Sequence, residues 1–220
     1  MLYIVATPIG NLKDITLRVL EILQSVEAII CEDTRRTSLL LQHYDIKKPL
    51  LMLNDFNEAK LVESFIQRLK GQNMALVSDA GTPLISDPGY KLIRSCLESN
   101  IQVDSIPGPS AVINGLILSG LPPDKFLFLG YPPEKPGHRK GFFGKIKVLN
   151  EKMPVTNIIF VSPHKLIGNL HEMENAYGDI EVVLAKELTK IHQSVEKKKI
   201  SSWLEDLNHP KGEYVLLFRL

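Results

Sequence analysis

The sequence has few cysteines and almost no net charge. Only 2 cysteines, Cys31 and Cys96, occur in 220 residues, and neither belongs to a CxxC pair. A disulfide framework and a cysteine-based zinc site are therefore excluded, and both thiols are expected to be buried small side chains. Lys and Arg total 26 against 25 Asp and Glu, which gives a net charge of +1. A protein that coats nucleic acid by bulk charge is far more basic, so any polyanion must be bound by a local patch.

Long apolar runs and a secretory signal are also missing. No run approaches the roughly 20 residues that cross a bilayer. The amino-terminal MLYIVATPIG has neither a basic region nor a small-residue cleavage site. The hydrophobic fraction of 44% and the aromatic fraction of 7% are ordinary for a globular protein. We therefore expect a soluble cytoplasmic protein with no membrane segment and no metal site.

Short apolar runs alternate with amphipathic stretches along almost the whole chain. This pattern predicts an α/β fold with a largely parallel sheet covered on both faces. One exception is a probable hairpin around Thr189–Ile200. A cluster of proline and glycine at Gly120–Asp124 is typical of a linker. The sequence therefore predicts two α/β domains, residues 1–120 and 121–220.

Four turns that follow predicted strands are candidates for ligand binding, because open α/β sheets bind ligands at the carboxyl ends of their strands. They are Thr7–Asn11, Ser78–Gly89, Ile106–Ala111 and Ala185–Lys190. The second is longer than the 4–6 residues, roughly, that a simple connection needs. It is rich in Gly, Pro, Asp and hydroxyl groups, and it matches neither a P-loop nor GxGxxG. The other interpretations are an ordinary turn, a helix cap at Asp87 and a surface salt bridge in the fourth turn.

Two charged segments complete the pattern. Cys31–Thr37 places two acids and two arginines at another strand end. Glu134–Lys147 holds five Lys or Arg and His138 against one Glu, with three glycines. Charge runs are usually solvated faces. A flexible basic loop in an otherwise neutral protein is nevertheless what phosphate recognition requires.

Taken in order, six strings resemble the tetrapyrrole methylase superfamily and, within it, the small-subunit ribosomal RNA methyltransferases. The resemblance covers essentially the whole chain. It implies two domains of the class III methyltransferase type with S-adenosylmethionine in a cleft between them, and a homodimer. It also implies methylation of a cytidine ribose 2′-hydroxyl in 16S ribosomal RNA, as naked RNA or in the small ribosomal subunit. The strings are TPIGN, EDTR, SDAGTPLISDPG, PGPSA, KELTK and KGE.

The resemblance also implies roles for individual residues. The expected cofactor-binding residues are Pro8, Gly10, Asp79, Gly81, Thr82, Pro83, Ile85, Ser110, Ala111, Val161 and Ser162. The candidates for general base and other catalytic roles are Asp33, Asp87, Lys186 and Glu187. The expected RNA-binding residues are Arg35, Arg36, Arg139 and Lys140.

One departure from the family pattern leaves alternatives open. Where family members commonly read YESPHR, this chain has FVSPHK at Phe160–Lys165, so Val161 replaces an acid and Lys165 an arginine. Valine cannot accept a hydrogen bond or balance a cation. A superfamily methyltransferase for a tetrapyrrole or a protein side chain, and a non-catalytic paralogue that binds cofactor or RNA, are therefore the competing hypotheses.

Overall fold

The computed structural model describes residues 1–220, which divide into two compact units. The first unit is Met1–Ser110 and the second is Ala111–Leu220. The predicted domain boundary near residue 120 lies inside the second unit and stays a prediction. No helix is both long enough and apolar enough to cross a membrane.

The first unit is built on a parallel five-stranded sheet. Its strand order is β3-β2-β4-β1-β5, and every neighbouring pair is parallel. The predicted parallel sheet is confirmed here, and the carboxyl ends of all five strands lie at one edge. The strands are β1 (Leu2–Val5), β2 (Ala28–Cys31), β3 (Leu50–Met52), β4 (Met74–Leu76) and β5 (Val103–Ile106), and the helices are α1 (Leu17–Ser25), α2 (Thr34–His43), α3 (Glu58–Leu69) and α4 (Tyr90–Glu98).

Helices cover both faces of this sheet, as the sequence predicts. Successive strand residues alternate between two apolar clusters, so Ile30 and Met74 belong to one cluster and Ile29 and Ala75 to the other. The inner strands β2 and β4 are buried throughout and are continuous apolar runs, which is typical of parallel sheets. The expected burial of both cysteines is confirmed, because Cys31 and Cys96 are free and fully buried.

The second unit has a mixed five-stranded sheet of order β6-β7-β10-β8-β9. Only β6 and β7 pair in parallel, and the other three pairs are antiparallel. The prediction of a largely parallel sheet is therefore wrong for this half. Its strands are β6 (Phe126–Phe128), β7 (Thr156–Val161), β8 (Glu181–Lys186), β9 (Ser194–Lys199) and β10 (Tyr214–Phe218), and its helices are α5 (Ala111–Leu118), α6 (Pro136–Lys152), α7 (Pro163–Tyr177) and α8 (Ile200–Asp206).

A short connection explains the antiparallel pairing of β8 with β9. The turn between them is too short for the crossover that parallel strands need, which takes a dozen residues or more. The predicted hairpin is present but begins earlier than expected, because β8 is its first strand and Thr189–Ile200 supplies only the turn and the second strand. The helix α5 packs on β10, where a Cβ on Gly115 would lie 3.3 Å from Cγ1 of Val215.

The basic segment is helical from Pro136 to Lys152. The sequence predicts a weak helix at Gly141–Leu149, which is confirmed, but the flexible loop expected for the whole basic segment is wrong. Helix α6 starts with Pro136 in its first turn and buries Phe143, Ile146 and Asn150 on one side. The buried amides of Asn150 and Asn157 exchange two hydrogen bonds of 3.0 and 3.1 Å. Burial of this face stabilises the helix despite its three glycines, because tertiary packing overrides local propensity.

Candidate functional site

The turns that follow β1, β4 and β5 are tied together at the carboxyl edge of the first sheet. Thr7 and Gly81 exchange backbone hydrogen bonds, with Thr7 N donating over 2.8 Å and Gly81 N over 3.0 Å. The hydroxyl of Thr82 donates to the carbonyl of Pro109 over 3.1 Å. A Cβ on Gly108 would lie 3.0 Å from Cβ of Ala6. The structure therefore brings three of the predicted turns into one cluster.

The Ser78–Gly89 loop has an unusual backbone. Leu84 and Ser86 adopt positive φ angles of 74° and 69°, which side-chain-bearing residues rarely do. Gly89 has a φ of 122°, and a Cβ there would lie 2.8 Å from Cδ2 of Leu76. Local strain of this kind persists only where the surroundings impose it, and it is frequent at ligand sites.

Acidic side chains from β2 and β4 meet beside this loop. The backbone N–H of Asp33 donates to Oδ1 of Asp79 over 3.1 Å, and Arg36 forms an ion pair with Asp79 at 3.4 Å. Asp33 caps α2 and binds the guanidinium of Arg35 at 2.6 Å. The hydrogen bonds from Arg35 lower the pKa of Asp33 to about 2.

Asp87 has the opposite environment. Burial, followed by repulsion from Glu32, raises the pKa of Asp87 to about 6, and a hydrogen bond from Ser78 opposes this only in part. Burial also raises the pKa of Glu32, and Asp79 and Asp55 add to the repulsion. Mutual repulsion among these carboxyl groups shows that the edge has more negative than positive charge. Such an edge favours a ligand that carries positive charge.

The predicted site residues of the second unit lie at one edge of its sheet. In the strand register, Tyr214 pairs with Val161 on one side and with Lys186 on the other. The Lys186 ammonium lies 5.9 Å from the centroid of the Tyr214 ring. Ser162 is the N-cap of α7 but makes no side-chain capping bond. Val161 is 2% exposed and belongs to the apolar core, so its side chain contacts other apolar groups.

A three-residue network holds Glu187 in place. Lys190 Nζ binds Oε1 of Glu187 at 3.0 Å and Oε2 of Glu213 at 2.8 Å, and the N–H of Glu213 donates to Glu187 over 2.8 Å. A Cβ on Gly212 would lie 2.9 Å from the Glu187 side chain, so this contact requires glycine. Burial acts to raise the pKa of Glu187, but the bonds from Glu213 and Lys190 outweigh it and lower the pKa.

The remaining expected residues lie in these same segments and differ in exposure. Pro8 and Pro83 are buried, Gly10 and Ile85 are exposed, and Ser110 and Ala111 are half-buried at the start of α5. Among the expected RNA-binding residues, Arg35 and Arg36 are engaged by Asp33 and Asp79, Arg139 is half-buried and Lys140 is exposed. Their roles stay predictions.

The sequence does not indicate the roles of Glu32, Lys190 and Glu213, although each lies inside one of the family strings, namely EDTR, KELTK and KGE. The missing information was which neighbour each side chain meets, since Glu213 and Lys190 are brought together by the pairing of β8 with β10. The acidic cluster does not form a metal site, because no group of three or more His, Cys, Asp or Glu is arranged to hold a metal ion.

Comparison with known families agrees with this geometry. The model of the family described as "Tetrapyrrole (Corrin/Porphyrin) Methylases" matches residues 1–203. This chain belongs to the tetrapyrrole methylase family. It is 47% identical over 98% of its length to "Ribosomal RNA small subunit methyltransferase I" of Escherichia coli O157:H7, covering 76% of that protein. It is 42% identical to the protein of the same name from Thermotoga maritima, with 98% of this chain and 96% of that protein covered. The chain is therefore a methyltransferase of this family, as the sequence predicts.

Solved structures confirm the predicted α/β fold of the class III type. A crystal structure of diphthine synthase superposes with a TM-score of 0.77 at 14% identity and covers 100% of this chain and 90% of that one. A putative diphthine synthase from Entamoeba histolytica gives a TM-score of 0.71 at 19% identity, with 100% and 92% of the two chains covered. Identities this low show the fold alone.

Proposed function

We propose that this protein transfers a methyl group from S-adenosylmethionine to the ribose 2′-hydroxyl of a cytidine in 16S ribosomal RNA. The observation that carries the proposal is the 47% identity, over 98% of the chain, to a relative whose name states small-subunit ribosomal RNA methylation. The diphthine synthases that share the fold are only 14% and 19% identical, so they give the protein-side-chain alternative less support. The chemistry of the two strand-end clusters adds the residue-level argument.

The acidic side chains at the carboxyl edge of the first sheet fit this cofactor. When bound, the cofactor supplies an electrophilic methyl group on a positively charged sulfur. The surplus of carboxyl groups at Glu32, Asp79 and Asp87 favours a cation, as the raised pKa values of Glu32 and Asp87 indicate. We expect Pro8, Gly10, Asp79, Gly81, Thr82, Pro83, Ile85, Ser110, Ala111, Val161 and Ser162 to bind the cofactor.

Asp87 is our choice as general base among the four catalytic candidates. Asp33 is held by Arg35 with a pKa of about 2, which makes it a weak base. Glu187 already accepts hydrogen bonds from Lys190 and from the backbone of Glu213. Lys186 lies over the ring of Tyr214, with Nζ 5.9 Å from the ring centroid.

The environment of Asp87 suits proton abstraction. A ribose hydroxyl is a weak nucleophile, and a carboxylate that takes its proton during attack on the methyl group accelerates transfer. Burial and neighbouring acids raise the pKa of Asp87 to about 6, so it is a stronger base than an exposed Asp and is still ionised at neutral pH. The rest of the site aligns the oxygen with the methyl group, which is the main requirement of an in-line displacement.

The target cytidine of the RNA must also be accessible to the protein. A stacked cytidine has to leave its helix before its ribose can enter an enclosed site, and unpaired or single-stranded positions do so at least cost. We also propose that the reaction takes place in the cytoplasm, where small ribosomal subunits occur. We also propose a homodimer, as in the family that the chain resembles, which sedimentation equilibrium tests as twice the 24.7 kDa of the chain.

The decisive experiment uses methyl-labelled S-adenosylmethionine and small ribosomal subunits from a strain that lacks this modification. After alkaline hydrolysis, label in an uncleaved dinucleotide is expected, because a 2′-O-methyl group blocks cleavage at its own linkage. Asp87→Asn serves as the matched inactive variant. Label in mononucleotides indicates base methylation, and label in protein indicates a side-chain substrate. Either result, or no transfer by a protein that binds the cofactor, contradicts the proposal.

A further inference from the structure

The helix α6 exposes one histidine and four lysines outside its buried face. Residues seven apart lie on the same side of an α-helix, about 10 Å apart along its axis. His138, Lys145 and Lys152 therefore form one row, and Lys140 and Lys147 form the other. All five side chains are exposed.

Between the two rows, the amino-terminal half of α6 has only glycines. A Cβ added to Gly137, Gly141 or Gly144 would meet nothing within 4 Å. In the carboxyl-terminal half, Val148 and Glu151 lie between the rows. A polyanion therefore approaches the helix backbone most closely along the glycine-lined half, next to Lys140 and Lys145.

The lysines of this face are not neutralised by the protein. Lys140, Lys145 and Lys152 form no ion pair, and Glu151 is the only acid in α6. The lysines of β9 differ sharply. Lys197 binds Glu181 at 2.8 Å, Lys198 binds Glu196 at 2.7 Å, and Lys199 lies 3.9 Å from Asp179. The α6 lysines, unlike those of β9, therefore keep mobile counterions that a bound phosphate chain releases.

We infer that this face of α6, with Lys140, Lys145 and Lys152 as its phosphate contacts, binds the sugar–phosphate backbone of the RNA. The inference rests on the function proposed above and names the surface that takes its substrate. Arg139 is assigned to the protein interior instead, because Nη1 donates to the carbonyl of Glu134 over 3.3 Å and Nε is buried.

A nucleic acid fits this surface better than an anionic membrane does. Helices that bind membranes present large apolar or aromatic side chains beside their lysines. The exposed apolar residues of α6 are Val148 and Leu149, at 55% and 39%. Its phenylalanines are buried or half-buried.

The test compares two triple variants with equal loss of charge. The first is Lys140→Gln, Lys145→Gln and Lys152→Gln, and the control is Lys197→Gln, Lys198→Gln and Lys199→Gln. Lys and Gln have similar helix propensities, so α6 is expected to fold in both. Binding of a 16S ribosomal RNA transcript is measured across a salt series, and binding of S-adenosylmethionine is measured in parallel.

The first variant is expected to weaken RNA binding about tenfold or more at about 0.1 M salt. Its slope of log K against log salt should be shallower by about 2, since each lost phosphate contact removes about 0.7–0.9. The control should change the affinity less than about twofold, and cofactor binding should be equal in all three proteins. Methyl transfer should show a raised KM for RNA with kcat little changed.

Two results overturn the inference. One is an equal loss of RNA affinity in both variants, which means that bulk charge alone matters. The other is unchanged RNA affinity in the first variant, including the case in which it loses binding only to phosphatidylserine vesicles. Failure of the proposed function looks different, because the unsubstituted protein then transfers no methyl group to RNA while the contrast between the variants persists.

Discussion

Two aspartates of the first unit show how environment sets chemistry for one residue type. Asp33 accepts hydrogen bonds from Arg35 and caps α2, so its pKa falls to about 2. Asp87 is more buried and lies near Glu32 and Asp79, so its pKa rises to about 6. The sequence treats both as candidates, and only the contacts separate them.

Asp87→Asn is expected to lower methyl transfer at least about 100-fold, because general bases contribute about 10²–10⁴ in rate. It should also stabilise the protein at pH 7. The native pKa of about 6 lies above the unfolded value of about 3.9, so the unfolded state loses its proton first. Stability therefore falls as pH rises from about 4 to about 6, and Asn removes this loss, on the order of 1 kcal/mol after solvent screening.

Urea denaturation at pH 4 and pH 7 and single-turnover rates across the same range measure both effects. For the unsubstituted protein, the rate should fall as the pH drops below about 6, where Asp87 gains its proton. Asp33→Asn is the control, and its rate should keep this pH dependence. An Asp87→Asn protein that transfers methyl groups at an undiminished rate would eliminate Asp87 as the base.

At the scale of elements, helix α4 depends on a side chain from α3. Its N-cap is Gly89, which has no side chain to cap with. The buried carboxylate of Glu58 instead accepts hydrogen bonds from the N–H groups of Lys91 and Leu92, at 2.9 and 3.2 Å. A carboxylate at a helix N-terminus satisfies donors that otherwise have no partner and interacts favourably with the helix dipole. The Ser78–Gly89 loop ends at this point, so Glu58 also fixes one end of the loop.

Glu58→Ala is expected to destabilise the first unit by about 2 kcal/mol, because it leaves two donors unpaired. Hydrogen exchange at the amides of Lys91 and Leu92 measures this directly and should accelerate. Glu98→Ala removes an exposed ion pair with Arg94 at the other end of α4 and should change stability by less than about 0.5 kcal/mol. Equal effects of the two substitutions would refute the capping role.

At the scale of the whole molecule, the net charge of +1 is the sum of regions with opposite local charge. The first unit has an acidic strand edge around Asp79 and Asp87, and the second unit has the basic helix α6. A cationic cofactor suits the first and a polyanion suits the second. Composition alone excludes bulk-charge binding but does not reveal this separation.

S-adenosylmethionine at about 100 times its Kd is expected to raise the free energy of unfolding by about 2.7 kcal/mol. ATP shares the adenosine group but carries a negatively charged phosphate chain, which the acidic edge repels, so it should stabilise the protein little. Thermal unfolding with each ligand at equal concentration gives the comparison. Equal stabilisation by both would contradict a site that prefers a cation.

Much of this protein follows from its sequence. The strand β2 is the clearest case, since all four of its residues, Ala28–Cys31, are apolar and buried, as a strand covered on both faces requires. The strings that mark the family are local, so they identify the family, the fold and the candidate loops without a structure.

Tertiary structure alone decided the strand order, the antiparallel second sheet and the extension of α6 beyond the weak helix predicted at Gly141–Leu149. It also decided that Asp87 has Glu32 as a neighbour and that Glu58 caps α4. These features depend on contacts between residues far apart in the chain. Burial of Phe143 and Ile146 stabilises α6 against the preference of its glycines, and proximity to other carboxyl groups sets the pKa of Asp87. The stability of α6 and the pKa of Asp87 both depend on residues from distant parts of the chain. Neither can therefore be predicted from a local segment of the sequence.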